Sequence, residues 1–183
     1  VSYFFAVLFW KDLNRLPVKN TSHLWFKAAV LFNAISSIGA FSLAGMMATK
    51  NHHQNWYLQA VYFFLHFQYN GWFFFACMGL LTDKLYAFGV ARGKLKTIFR
   101  LFAGACIPAY ILSVLWVNIP LWAYLLVVLA AFAQVAGWCI LVKNIYRLPV
   151  FIKSFPKVAK QLLLLSAVAL TIKLLLQLGS TIP

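Results

Sequence analysis

Residues able to do chemistry are few in this chain, and the most notable one sits where a polar group is expensive. His66 lies inside Tyr57 to Leu81, an apolar run of 25 residues that also carries Gln59, Tyr62, Tyr69 and Asn70. A helix of that length rises roughly 37 Å, more than the ~30 Å hydrocarbon core, so the run can span a bilayer with some tilt. His66 then falls roughly 13 Å below the start of the span, near mid-membrane, where an ionisable side chain is a functional candidate. On a regular helical turn Gln59, Tyr62, His66, Tyr69 and Asn70 form one polar stripe, which must face protein or a cavity. Three roles are open to His66: a neutral imidazole bonded to a neighbouring helix, a ligand for heme or for a copper or iron ion, and a station on a proton or solute route.

Asn33 in an earlier apolar run and Gln134 in a later one extend this polar seam. Lys173, with Ser166 and Gln177 on its face, either lines a cavity or snorkels to the interface. His52 and His53 cannot join His66 on one ion, because thirteen residues of helix separate His53 from it by roughly 20 Å and a metal holds imidazoles at about 2 Å. That pair reads as a solvated loop. Both acidic residues, Asp12 and Asp83, fall in polar connections, so no carboxylate is expected inside a span, which argues against a proton-coupled pump within this stretch. Ser/His/Asp sets, phosphate-cradling glycine loops and CxxC motifs are missing, which removes hydrolase, nucleotide and thiol-redox readings. Cys77, Cys106 and Cys139 show no metal-ligand spacing and read as small buried residues.

The elements that must position these groups follow from composition. With 64% hydrophobic and 10% charged residues, the 183-residue chain lies far from a soluble globular average. The reading is an all-α, polytopic transmembrane bundle of about six spans, near 1–10, 24–48, 57–81, 99–117, 121–142 and 161–178, in a single transmembrane domain. Asn33, Ser36, Ser37, Ala40 and Ala44 give the second run a small, hydroxylated packing face. Pro108 predicts a kink in the fourth, and Asn118-Ile119-Pro120 a tight turn. Val1 already lies in an apolar run, so the expectation is a fragment of a longer membrane protein whose partners are the lipid bilayer and helices from other segments or subunits.

The net charge of +14 would suggest nucleic acid in a soluble chain, but here the cations lie between apolar runs, and no nucleic-acid partner is expected. Fourteen of the 16 basic residues cluster in the connections after spans one, three and five: Lys11, Arg15, Lys19 and Lys27; Lys84, Arg92, Lys94, Lys96 and Arg100; and Lys143, Arg147, Lys153, Lys157 and Lys160. The positive-inside rule makes these connections cytoplasmic, with a bacterial inner membrane as the expected location. Trp56, Trp116 and Trp122 then mark the outer boundary, and Trp10 and Trp25 the inner one.

Two copies of one pattern stand 132 residues apart: Lys11-Asp12-Leu13-Asn14-Arg15-Leu16-Pro17-Val18 and Lys143-Asn144-Ile145-Tyr146-Arg147-Leu148-Pro149-Val150. Either loops reuse basic-plus-proline turn chemistry, or the chain contains a parallel repeat of four spans. His66-Phe67-Gln68-Tyr69-Asn70-Gly71-Trp72 resembles part of the sixth helix of the catalytic subunit of heme-copper oxidases, above all the nitric oxide reductase branch. His66, Gly71 and Trp72 match the metal-ligand histidine, the glycine and its aromatic neighbourhood, while Asn70 stands at the carboxylate position. The resemblance implies quasi-equivalent four-helix arcs and a heme or metal held through His66. It also implies a divergent relative, since 99–117 lacks the adjacent histidines that the family's next helix supplies.

Three functions remain open on these residues: an oxidase-like scaffold binding heme or metal, a transporter or channel lined by the seam, and a structural or assembly subunit. Whether the protein is an enzyme is left open. The topology has a direct check in cysteine-accessibility labelling, where a cysteine placed at Asn118 should label from outside and one at Gly93 from the cytoplasm. Labelling of both from one side overturns the orientation.

Overall fold

The structure, a computed structural model, describes residues 2–17, 20–50, 53–116 and 119–181. Val1, Val18, Lys19, His52, Val117, Asn118, Ile182 and Pro183, which enter the span ends, the first basic connection, the histidine pair and the tight turn, lie outside the described residues.

All regular structure among the described residues is helical. Its elements are α1 (Ser2–Arg15), α2 (Ser22–Ala48), α3 (Gln54–His66), a π-helix (Phe67–Phe73), α4 (Phe74–Ala87), α5 (Arg92–Ala109), a 3₁₀-helix (Tyr110–Val114), α6 (Leu121–Tyr146), α7 (Pro149–Lys153) and α8 (Lys157–Gly179). Four helical stretches among the described residues are long and apolar enough to cross a membrane: Ser22–Ala48, Arg92–Val114, Leu121–Tyr146 and Lys157–Gly179. The protein is an integral membrane protein, and four of the six expected spans coincide with these helices. The predicted first run belongs to α1, only 14 residues long. The central run is helical from 54 to 87, but the π-helix breaks it into three pieces.

Predicted connections are shorter than charge alone suggests. The segment 82–97 was expected as a polar link, yet α4 continues to Ala87 and α5 begins at Arg92. Lysine and arginine are good helix formers, so charged residues extend helices out of the apolar region without ending them. For the same reason 143–160 contains the end of α6, all of α7 and the start of α8. Pro149 opens α7 at its first turn, where a missing N–H costs nothing. Pro108 lies inside α5, and two residues on, from Tyr110, the helix tightens to 3₁₀.

Two compact units divide the chain, Val1–Asp83 with Ser113–Val117, and Lys84–Leu112 with Asn118–Pro183. In the first, α2 runs antiparallel along α3, the π-helix and the start of α4. Glycines bring the backbones together. A Cβ added at Gly39 would meet Ala60 O at 2.7 Å and Phe64 N at 2.8 Å, and one at Gly71 would meet Phe32 Cβ at 2.6 Å. Phe32 thereby stacks on Phe67 with centroids 5.8 Å apart and meets Phe75 edge-on at 5.0 Å. Trp25, fully buried, lies 5.1 Å from the Phe75 ring, so it is a core residue and not the interfacial anchor expected from sequence. Trp10, Trp56 and Trp116 are exposed, as anchors are.

The second unit is built on the α5–α6 pair. Leu95, Ile98, Phe102, Ala105, Cys106 and Ala109 on α5, and Ala123, Val127, Ala130, Ala131, Gln134, Gly137 and Leu141 on α6, recur every three or four residues and are buried. The small side chains let the helices approach, and Phe102 lies where a Cβ on Gly137 would be 3.0 Å from its ring. α8 is tied to α6 by Trp138 Nε1 donating to Thr171 Oγ1 at 2.9 Å. Cys77 and Cys139 are exposed, against the expectation of three buried thiols, because each falls on the outward face of its helix; Cys106 is buried.

Gly39→Val should lower the thermal midpoint of detergent-solubilised protein by the equivalent of about 1–3 kcal/mol, the usual cost of overpacking. Gly45→Val, where no atom lies within 4 Å of the added Cβ, serves as the control and should change it little.

Candidate functional site

His66 ends α3, is buried, and opens the π-helix. In a π turn the hydrogen bond runs from residue i to i+5, so each turn holds about one residue more than an α turn. A group at i+4 then stays above residue i, whereas one at i+3 swings away. Asn70 accordingly remains over the imidazole, with Nδ2 3.4 Å from His66 Nδ1. Tyr69 is thrown outward and is 62% exposed. Tyr62 is also exposed, and tilts against Trp116 with centroids 5.1 Å apart. The expected five-residue stripe is therefore not one face. His66 and Asn70 form its centre, Gln59 is half-buried, and the two tyrosines leave it.

A second polar contact was not legible in the 3.6-residue count. Ser36 Oγ, almost fully buried on α2, lies 2.8 Å from Gln68 Oε1 and 2.7 Å from the Asn33 carbonyl. One hydroxyl proton cannot serve two acceptors fully. Turning the Gln68 amide so that its nitrogen donates to Ser36, while Ser36 donates to Asn33, satisfies both. Asn33 thus enters the site through its carbonyl. The signal available in sequence was the polar pair itself, Ser36 in a small-residue face and Gln68 inside the aromatic run.

At the far end of the same helix pair, Asp83 Oδ1 accepts from Asn20 Nδ2 at 3.0 Å and from Ser22 Oγ at 3.1 Å. The carboxylate lies beside the first residue of α2, where the helix dipole favours negative charge. Asp83 therefore fastens α4 to the start of α2. Gln134 and Lys173 belong to the second unit. Gln134 is buried in the α5-facing row of α6, and its Oε1 has no hydrogen-bond partner among the described residues. Lys173 is exposed on α8. His53 is exposed at the N-cap of α3, consistent with a solvated loop residue.

The donor set limits what the site can hold. No group of three His, Cys, Asp or Glu side chains gathers among the described residues. A multi-ligand ion site does not fit among the described residues; a group that takes the single imidazole of His66 is compatible with them. The Asn70 contact is compatible with either tautomer of the ring, because flipping the Asn70 amide changes its contact with Nδ1 from donor to acceptor. Comparisons with family models, with curated proteins and with solved structures found no match.

Ser36→Ala and Gln68→Leu, tested singly and together by thermal unfolding in detergent, should show a coupling of about 0.6 kcal/mol, the mean for membrane side-chain hydrogen bonds. Strict additivity of the two changes removes the bond from the account.

Proposed function

We propose that the chain is part of an oxidase-like membrane scaffold in which His66 is the ligand this stretch contributes to a heme or an iron or copper ion, the other ligands coming from further segments or subunits. The observation that carries the reading is the buried imidazole at the mouth of a π turn, since single π turns inside α-helices occur frequently at functional sites. A bound heme or metal would supply electron-transfer or ligand-binding chemistry. The chain's own residues position and shield: Asn70 orients the ring, the Phe67 ring, 5.2 Å from the imidazole and edge-on, covers one side, and the α2 contact keeps the turn wide. In this reading α1 and the α3–π–α4 helix add to the four membrane-length helices to make six spans, and the basic connections lie in the cytoplasm of a bacterium.

A second reading, helix locking in a structural or assembly subunit, is favoured by the Ser36–Gln68 and His66–Asn70 contacts, which satisfy these polar groups without any guest. Optical spectroscopy of the full-length protein separates the two. A Soret band or stoichiometric metal that His66→Leu abolishes, with helix content and membrane insertion unchanged, supports the ligand role. A full-length preparation that stays colourless and metal-free after expression with ample heme, iron and copper defeats it and leaves helix locking in its place.

A further inference from the structure

The charges of the two units are balanced differently. Asp12 and Asp83 both lie in the first unit, whereas the second contains eleven Lys and Arg residues and no carboxylic side chain. Three of those cations converge. A cleft of about 290 Å³ between the start of α5 and the end of α6 is lined by Lys94, Thr97, Ile140, Lys143, Asn144 and Arg147. Lys143 and Arg147 stand four residues apart and so share a helix face, a like-charge spacing that destabilises a helix left to itself. Lys94 faces them from the first turn of α5, which has no acidic residue and no side-chain cap. The positive end of the α5 dipole adds to the same potential.

The repeated pattern sharpens the contrast. In its first copy, Asp12 supplies the countercharge, with Oδ1 3.9 Å from Arg15 Nη1. In the second copy the aligned residue is Asn144, whose amide donates back to the Ile140 carbonyl at 2.7 Å. The same basic framework is thus neutralised from within at one site and lacks an internal anion at the other.

We propose that the Lys94–Lys143–Arg147 cleft binds the phosphate headgroup of an anionic phospholipid. A phosphodiester supplies the missing charge and the acceptor oxygens that a guanidinium and two ammonium groups can share. A lipid source fits better than free phosphate because α5 and α6 are both of membrane-crossing length and composition, and the cleft lies at their ends with Ile140 in its wall. Basic pockets between membrane helices bind anionic headgroups by this chemistry.

The test is native mass spectrometry of the delipidated protein in detergent, titrated with phosphatidylglycerol, with phosphatidylcholine and with inorganic phosphate. Phosphatidylglycerol should bind the parent protein in preference to phosphatidylcholine. The double variant Lys143→Gln/Arg147→Gln should bind it about 30-fold more weakly, from roughly 1 kcal/mol per cation near the surface. Asn144→Asp, which restores the internal anion of the first copy and removes no side chain from the cleft, should also weaken it. Lys153→Gln/Lys157→Gln, with the same loss of charge outside the cleft lining, should leave affinity within twofold. Equal losses in both double variants, or undiminished binding in Asn144→Asp, would overturn the cleft assignment. Inorganic phosphate competing at micromolar concentration would overturn the lipid source.

Discussion

The first unit depends on how closely α2 can lie against a helix that is not regular. Inside a bilayer every backbone N–H and C=O must find its partner within the chain, so a spanning segment can vary its turn but cannot open it. A π turn is one of the few permitted variations. Here it coincides with Gly71, whose missing side chain leaves room for Phe32, and that ring in turn packs Phe67 and Phe75 above and below the turn. The burial of His66, the placing of Asn70 over it and the reach of Gln68 to Ser36 all follow from this contact. None of them requires a charged residue at depth. The one carboxylate that joins these helices, Asp83, does so at the polar end.

The second unit solves the same packing problem with regular helices. Alternating three- and four-residue spacing of alanine, glycine and branched side chains joins α5 to α6, and α8 adds to them through Trp138 and Thr171. Most of α8 remains apolar and exposed, with Leu174 its buried residue. Outward leucines on such a helix are what lipid tails accept without penalty, so a face that would be a liability in water is ordinary in this setting.

The existence and type of the elements were legible because apolar runs longer than 18 residues have few alternatives to helix. Their ends were less so: Lys84, Arg92 and Lys143 look like loop residues by charge but are fully compatible with helix, and the structure keeps them there. Trp25 was misassigned because a tryptophan near a span boundary serves equally well as an interfacial anchor or as core, and only the neighbouring Phe74 and Phe75 rings decide. His66 and Asn70 were legible as a pair, being four residues apart. Tyr69 and Gln68 were not, since any count past His66 that assumes 3.6 residues per turn goes wrong once a residue is added to the turn.

That added residue gives the helix a phase. Residues 54–66 and 74–83 both lie on α2, through Ala60 and Phe64 on one side and through Phe75 and Asp83 on the other, only because the turn between them absorbs one position. At the level of the gene, deletion of a single codon within 67–73 would let the turn close to a regular α-helix with both halves still in phase, whereas a codon gained or lost within 74–82 would rotate the end of the segment against the rest by about 100°. A length change of that second kind would pass any inspection of the sequence for span length while parting Asp83 from Ser22. Outside the π turn the permitted history of this segment is therefore one of substitutions and compensated length changes, because its reading frame in space is as strict there as its reading frame in codons.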